Sequence, residues 1–315
     1  MKRVALIGGR GYTGAELLGL LARHTGLELA LASSGSQAGA PLQTVCPDWP
    51  NAEDCFIELE QAAVASRDAD AWVLAVPNDV ARGWAASIRA AHPQALILDL
   101  SADHRFDPAW TYGLPERFRA ELRETIQIAN PGCYATGMQL GLLPLIDELV
   151  GPPSIFGVSG FSGAGRKPSA NNDPQRLKDN LLPYKLSGHV HEKEVSHQLA
   201  GEVRFMPHVA AFFRGISLTV SVQLRSPVDV ASLLARYLRY YENEPCVRVQ
   251  EAIPEVREVQ NTPGCLIGGF TVDERDARHV TLVVVLDNLL KGAASQAVQN
   301  INLALGLDER EGVFE

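Results

Sequence analysis

The sequence predicts a two-part α/β protein: a Rossmann-type, doubly wound parallel sheet, then an α+β domain with a mixed or antiparallel sheet. Three observations carry this. From residue 3 to residue 129, short continuously apolar runs alternate with helical patterns, which is how parallel sheets covered on both faces are written. Beyond residue 150 the strand-like runs are longer and alternate polar with apolar, as sheets with two unlike faces do. Between the first run and the first helical pattern stands a glycine-rich loop, Gly8-Gly9-Arg10-Gly11-Tyr12-Thr13-Gly14.

Arg3 to Ile7 reads as a buried parallel strand. A helix is expected from about Thr13 through His24, with Gly26 at its cap. Strands follow at 27–32, 71–76, 96–100 and 125–129, with helical segments between several of them. Asn130-Pro131-Gly132 brings the chain sharply out of the sheet, and a helical pattern runs from Met138 to Leu149. In the second half, strands are expected at 155–159, 216–224, 246–249 and 279–287, and a last helix at about 293–305. The expected division is a dinucleotide-binding domain over 1–133, rejoined by the terminal segment 290–315, and a second, α+β domain over 134–289.

Composition narrows the function. The chain of 315 residues is 46% hydrophobic and 21% charged with a formal charge of −9, which disfavours a nucleic-acid surface. No apolar run approaches the length of a membrane span or a secretory signal, so a cytoplasmic protein is expected. The five cysteines, at 46, 55, 133, 246 and 265, form no metal-ligand spacing and suit reduced thiols.

Gly8, Gly11 and Gly14 have the spacing of a dinucleotide fingerprint, in which small residues let the backbone approach a pyrophosphate at a helix N-terminus. The cofactor contacts expected here are Gly8, Arg10, Gly11, Tyr12, Thr13 and Gly14. After the second strand, where NAD-binding folds place a carboxylate, the chain reads Ser33-Ser34-Gly35-Ser36. Hydroxyls at Ser33, Ser34 and Ser36 tolerate a 2′-phosphate that a carboxylate would repel, and this favours NADP(H).

Cys133 follows the last strand of the first half and precedes a helix, where the dipole and unpaired N–H groups favour a thiolate. A thiol nucleophile beside a nicotinamide suggests acyl transfer followed by hydride delivery. His189 and His191, two apart, would share one side of a strand or converge on a loop, and either imidazole can exchange the protons such chemistry needs. A zinc site built on this pair lacks a third ligand of matching spacing, and no metal is expected. For a substrate phosphate, Arg105 after a strand end and Arg166 in a glycine-containing loop are the candidate cations. His24, His92, His104, His197 and His279 are expected in surface or structural roles.

The chain resembles N-acetyl-γ-glutamyl-phosphate reductases, the arginine-biosynthesis relatives of aspartate-semialdehyde dehydrogenase. The likeness rests on Gly8 to Gly14, Leu98 to Arg105, Tyr112 to Glu116, Asn130 to Thr136, Ser162 to Arg166, Gly188 to Glu194, Pro207-His208 with Arg214-Gly215, and Asp287 to Ala294. It implies Cys133 as nucleophile, His191 as acid/base with His189 second, and Glu194 orienting or binding substrate. It also implies Asn288 at the cofactor, and Ser162, Gly163 and His208 with Arg105 and Arg166 at the substrate. The implied partners are a small acyl-phosphate substrate and a second copy of the chain, in a homodimer or homotetramer. Departures from the usual pattern are Arg10 for a small or hydroxyl residue, Gly35 for an arginine, Val190 for arginine, Lys193 for proline, and Gly269 for asparagine. The rival readings are the paralogous aminoadipyl-phosphate reductase of lysine biosynthesis, on a substrate one methylene longer, and a non-catalytic NADP-binding regulator.

Overall fold

The apolar runs of the first half condense into one parallel sheet. The computed structural model describes residues 1–314. Its contacts divide the chain into two units, one formed by residues 1–132 with the segment from Ala293 onward, the other by 133–292. In the first unit β1 (Lys2–Ile7), α1 (Tyr12–Ala22), β2 (Leu27–Ser33), β3 (Ala71–Leu74), α2 (Ala81–Ala91), β4 (Leu96–Asp99), β5 (Thr111–Tyr112), α3 (Pro115–Leu122) and β6 (Gln127–Ala129) follow one another. The sheet order is β2-β1-β3-β4-β6-β5, every pairing parallel. Val4 to Ile7 and Ala71 to Leu74 are buried on both faces, which is why they are written without alternation. On one face Ala5, Ile7, Trp72, Leu74 and Ile97 pack with Ala85 and Ile88 of α2.

The helix expected to run through His24, with Gly26 at its cap, ends at Ala22 with Arg23 as its C-cap. His24 is the reason: its buried Nδ1 accepts the N–H groups of Gly26 and Leu27, each at 3.0 Å, and this turns the chain straight into β2.

The second unit begins with α4 (Cys133–Leu142). The sequence pattern suggested a helix from Met138 to Leu149, but it starts five residues earlier and tightens into a 3₁₀ turn over Leu143–Glu148, since Pro144 brings no N–H to an α-helical bond. There follow β7 (Ser154–Gly160), α5 (Pro174–Leu177), β8 (Leu181–Pro183), α6 (Val190–Gln198), β9 (Arg204–Ala210), β10 (Ile216–Gln223), α7 (Val230–Tyr240), β11 (Val247–Val249), β12 (Cys265–Val272) and β13 (His279–Leu286). They form a mixed sheet in the order β11-β12-β13-β10-β7-β9-β8, with β7–β9 and β11–β12 parallel and the other pairings antiparallel. Two small residues one turn apart press α4 onto this sheet. A Cβ at Gly137 would meet methyls of Leu218 and Leu286 at 2.6 Å, and one at Gly141 would meet Val284 at 2.9 Å. From α7 and its C-cap, the hydroxyls of Tyr237 and Tyr241 donate to the carbonyls of Gly141 and Leu140, each at 2.5 Å, and so close the far end of α4. The helix that presents Cys133 is thus held from Gly137 onward. Finally α8 (Ala294–Ala304) packs on α1 and α3 in the first unit.

Candidate active site

The glycine loop of the first unit has the geometry of a phosphate cradle. Gly8 sits at φ +85°, and a Cβ there would lie 2.4 Å from the carbonyl oxygen of Ala75. Its N–H and that of Gly9 donate to the Ser33 carbonyl at 3.1 and 3.0 Å, joining the loop to the end of β2. Gly14 lets α1 approach the loop, because a Cβ would strike the Gly9 carbonyl at 2.4 Å. Gly11 has a different reason for being small: it is the N-cap of α1, makes no side-chain cap, and faces open space. A helix start left uncapped and uncovered is what an anionic ligand needs. Tyr12 and Thr13 open the helix, and Arg10 is exposed beside them.

Ser33 and Ser34 are buried and Ser36 is exposed. The Ser34 hydroxyl has no hydrogen-bond partner among the described residues. Leaving it so costs about 1–3 kcal/mol, which an acceptor on a bound molecule would offset. These residues therefore fit a dinucleotide. Among them there is no carboxylate to contest a 2′-phosphate.

In the second unit a cavity of about 320 Å³ is lined by Cys133, Tyr134, Ser159, Gly163, Tyr184, His189 and His191, among others. Cys133 is the first residue of α4 and half-buried. The turn after β13 closes against it: a Cβ on Gly292 would be 2.7 Å from Cys133 Cβ. The two histidines lie on neither a strand nor an open loop, as the sequence suggested; they begin a helix. His189 is the N-cap of α6, its Nδ1 accepting the His191 N–H at 3.1 Å. The rings stand 4.8 Å apart at 65°. Glu192 fixes the turn, one carboxylate oxygen accepting the Gly188 N–H at 2.8 Å and the other the Phe205 N–H at 3.0 Å.

Burial dominates the electrostatics here. It pushes the His189 imidazole down to about 4, with Lys185 adding to the effect and Glu192 opposing it. Burial also raises the phenols of Tyr134 and Tyr184, and the neighbouring Cys133 adds to both shifts. Both phenols stay protonated at neutral pH. Tyr134 Oη donates to the His208 carbonyl at 2.8 Å.

Other expected site residues stand elsewhere. Glu194 is fully buried on α6 and is not among the residues that line the cavity, while Glu192 holds the turn that carries the histidines. The His208 imidazole, expected at the substrate, is on the opposite sheet face. Side chains alternate along β9, and its ring packs on Phe156 at 4.4 Å while Val209 lines the cavity. Asn288, expected at the cofactor, has both ends of its amide engaged within the second unit: Oδ1 accepts the Gly215 N–H at 2.7 Å, and Nδ2 donates to Ser162 Oγ at 3.0 Å. Ser162 is buried, and its neighbour Gly163 reaches the cavity. Arg166 is exposed and outside the lining. Arg105, in the first unit, is buried, and it donates to the carbonyls of Asn130 and Leu100, each at 3.0 Å. Sequence reasoning passed over Tyr134, Ser159, Ser169, Asn171, Tyr184 and Glu192. Only Glu192 carried a local signal, its place three residues after a helix cap. Among the described residues, no group of three or more His, Cys, Asp or Glu could hold a metal ion.

The chain matches two family models: the semialdehyde dehydrogenase NAD binding domain over residues 3–125, and the semialdehyde dehydrogenase dimerisation domain over 133–288. It is 50% identical over 306 residues to an N-acetyl-gamma-glutamyl-phosphate reductase of Xanthomonas campestris, covering 97% of this chain and 96% of that protein. It is 48% identical to the bifunctional protein argC, mitochondrial, of Dictyostelium discoideum, covering 98% of this chain and 36% of that longer protein. An aspartate semialdehyde dehydrogenase II of Vibrio cholerae, solved with ASA, superposes with a TM-score of 0.78 at 21% identity, covering 96% of this chain and 98% of that one.

Proposed function

The chain belongs to the N-acetyl-gamma-glutamyl-phosphate reductases of the semialdehyde dehydrogenase family, and from that premise we propose that it reduces N-acetyl-γ-glutamyl phosphate to the 5-semialdehyde with release of phosphate, through a thioester on Cys133. The observation that carries the reading is Cys133 at the start of α4, in one cavity with His189 and His191. The helix start favours the thiolate. Its sulfur attacks the acyl carbon, the oxyanion collapses, and phosphate leaves. Bound NADPH supplies the hydride that reduces the thioester. His191 protonates the resulting alkoxide, and Cys133 departs as thiolate when the aldehyde is released. The uncapped loop at Gly11 and the Ser33-Ser34 pair support NADPH as the cofactor. Arg105 and Arg166 are the cations proposed for substrate anions. A homo-oligomer in the cytoplasm is the setting proposed.

Identity to curated glutamyl enzymes favours that substrate over the aminoadipyl homologue. Steady-state rates on the two acyl phosphates test it. A higher kcat/KM for the aminoadipyl compound would move the chain to lysine biosynthesis, and no turnover of either would leave the non-catalytic reading.

A further inference from the structure

His189 has a task in the chain that limits its task in the chemistry. Its Nδ1 accepts the backbone N–H of His191 at the start of α6. A ring nitrogen that accepts from a backbone N–H carries no proton, so the neutral ring holds its proton on Nε2. Backbone geometry fixes the tautomer before any substrate arrives. Nε2 itself has no partner among the described residues, and the ring is part of the wall that also contains Cys133.

We propose that His189 is a fixed, uncharged hydrogen-bond donor, its Nε2–H holding the substrate carbonyl oxygen as that oxygen becomes an oxyanion, and that His191 alone moves protons. The inference rests on the thioester reading above. When the Cys133 sulfur–carbon bond forms, the carbonyl π pair moves to oxygen; the carbon–oxygen bond to phosphate then breaks and phosphate takes the pair. When hydride adds to the thioester carbon, the π pair moves to the same oxygen again. His189 gives up no proton in either addition. The proton for the second oxyanion comes from His191, and it returns as the carbon–sulfur bond breaks.

The surroundings suit a donor that never charges. Tyr134 of α4 stands edge-on to the ring at 6.3 Å, Tyr184 after β8 at 5.6 Å, and Phe205 of β9 at 5.4 Å. The phenols remain protonated, so no phenolate faces the ring; the charged groups near it are Lys185 and Glu192, with the His191 ring and Cys133 as titratable neighbours. Burial and Lys185 together disfavour the imidazolium, which would also lose the acceptor that caps α6. Glu192 ties Gly188 to Phe205, so the donor does not swing with the turn.

Two measurements on the full-length enzyme test this. In ¹⁵N-histidine-labelled protein, with His189 assigned from the His189→Asn spectrum, the ring nitrogens are expected to show the Nε2–H tautomer from pH 6 to 9 without titrating. A ring that titrates in that range, or carries its proton on Nδ1, would overturn the proposal. His189→Asn keeps a capping oxygen, since Asn ranks with the best N-caps, but removes the Nε2 donor. Its kcat is expected to fall about 10²–10³-fold, the loss typical of one oxyanion donor, with melting temperature and the pH profile of kcat unchanged in shape. The limb assigned to proton transfer should vanish in His191→Asn instead. A kcat within about threefold of the parent, or loss of that limb in His189→Asn, would refute the division of roles. Trapping an acyl-enzyme on Cys133 reports on the thioester separately, so failure of that reading and failure of this one give different results.

Discussion

Adding a single methyl at Gly292 is expected to disable the enzyme while leaving it folded. The new carbon would sit 2.7 Å from Cys133 Cβ and 2.7 Å from the Asn288 carbonyl oxygen. Carbon atoms rest at about 3.5–4.0 Å, so one side must retreat by roughly 1 Å. The turn resists. Asp287 accepts Arg214 Nε at 2.5 Å, the Asn261 N–H at 2.7 Å and the Leu289 N–H at 2.9 Å, and Asn288 is bonded to Gly215 and Ser162. The cysteine is the side that gives. A displacement of about 1 Å at a reacting group costs on the order of 10²-fold in rate, whereas overpacking of this kind costs about 1–3 kcal/mol in stability. At roughly 2–4 °C per kcal/mol for a protein of this size, the melting temperature should fall by no more than about 12 °C. NADPH oxidation followed by absorbance, a thermal melt and the rate of Cys133 alkylation together measure the outcome. The expected result is a Gly292→Ala protein that melts cooperatively, turns over about 100-fold more slowly and alkylates at an altered rate. A kcat within threefold of the parent, with an ordinary melt, would show that the contact between Gly292 and Cys133 does not position the thiol.

Cys133→Ser should bind NADPH and melt like the parent but show no turnover, because a serine hydroxyl is far less acidic than a thiol; appreciable turnover by a folded serine variant would end the covalent mechanism. kcat/KM should be at least about tenfold higher with NADPH than with NADH, given the Ser33-Ser34 end of β2 and a 10-fold ratio per 1.4 kcal/mol; equal values would show that the loop does not discriminate. His189 makes stability depend on acid. Its ring binds a proton near pH 6.5 when unfolded but near 4 when folded, so its contribution is complete above pH 6.5 and is lost as the pH falls toward 4. At 1.36 kcal/mol per pH unit, urea unfolding at pH 5 should show a loss of up to roughly 2 kcal/mol relative to pH 7 that His189→Asn lacks. An equal loss in both proteins would place the acid sensitivity elsewhere.

Residues that act through their neighbours in the chain were legible from the sequence. Gly8, Gly11 and Gly14 declared a cradle because backbone approach and an open helix start are local properties, and the chain order strand, glycines, helix sufficed to read them. Ser33 and Ser34 were legible for the same reason, being fixed by the end of one strand. Cys133 was marked by Pro131-Gly132 before it and a helix after it, although the helix start was expected five residues too late. What the sequence left open was set by partners distant along the chain. His189 and His191 look equivalent in Gly188-His189-Val190-His191, and a strand or a loop fits them as well as a helix start does. Only when α6 forms does one ring become the cap and lose its freedom of tautomer, while Glu192 reaches Phe205 thirteen residues on. His208 sits in a motif with Pro207, yet strand alternation turns its ring to the other sheet face, a parity fixed by the register of β9 against β7. Asn288 is committed by Gly215 and Ser162, each more than seventy residues away in sequence. A side chain's chemistry is carried in its own covalent structure. Which of its atoms remains available is decided by hydrogen bonds that form only after the chain has closed on itself.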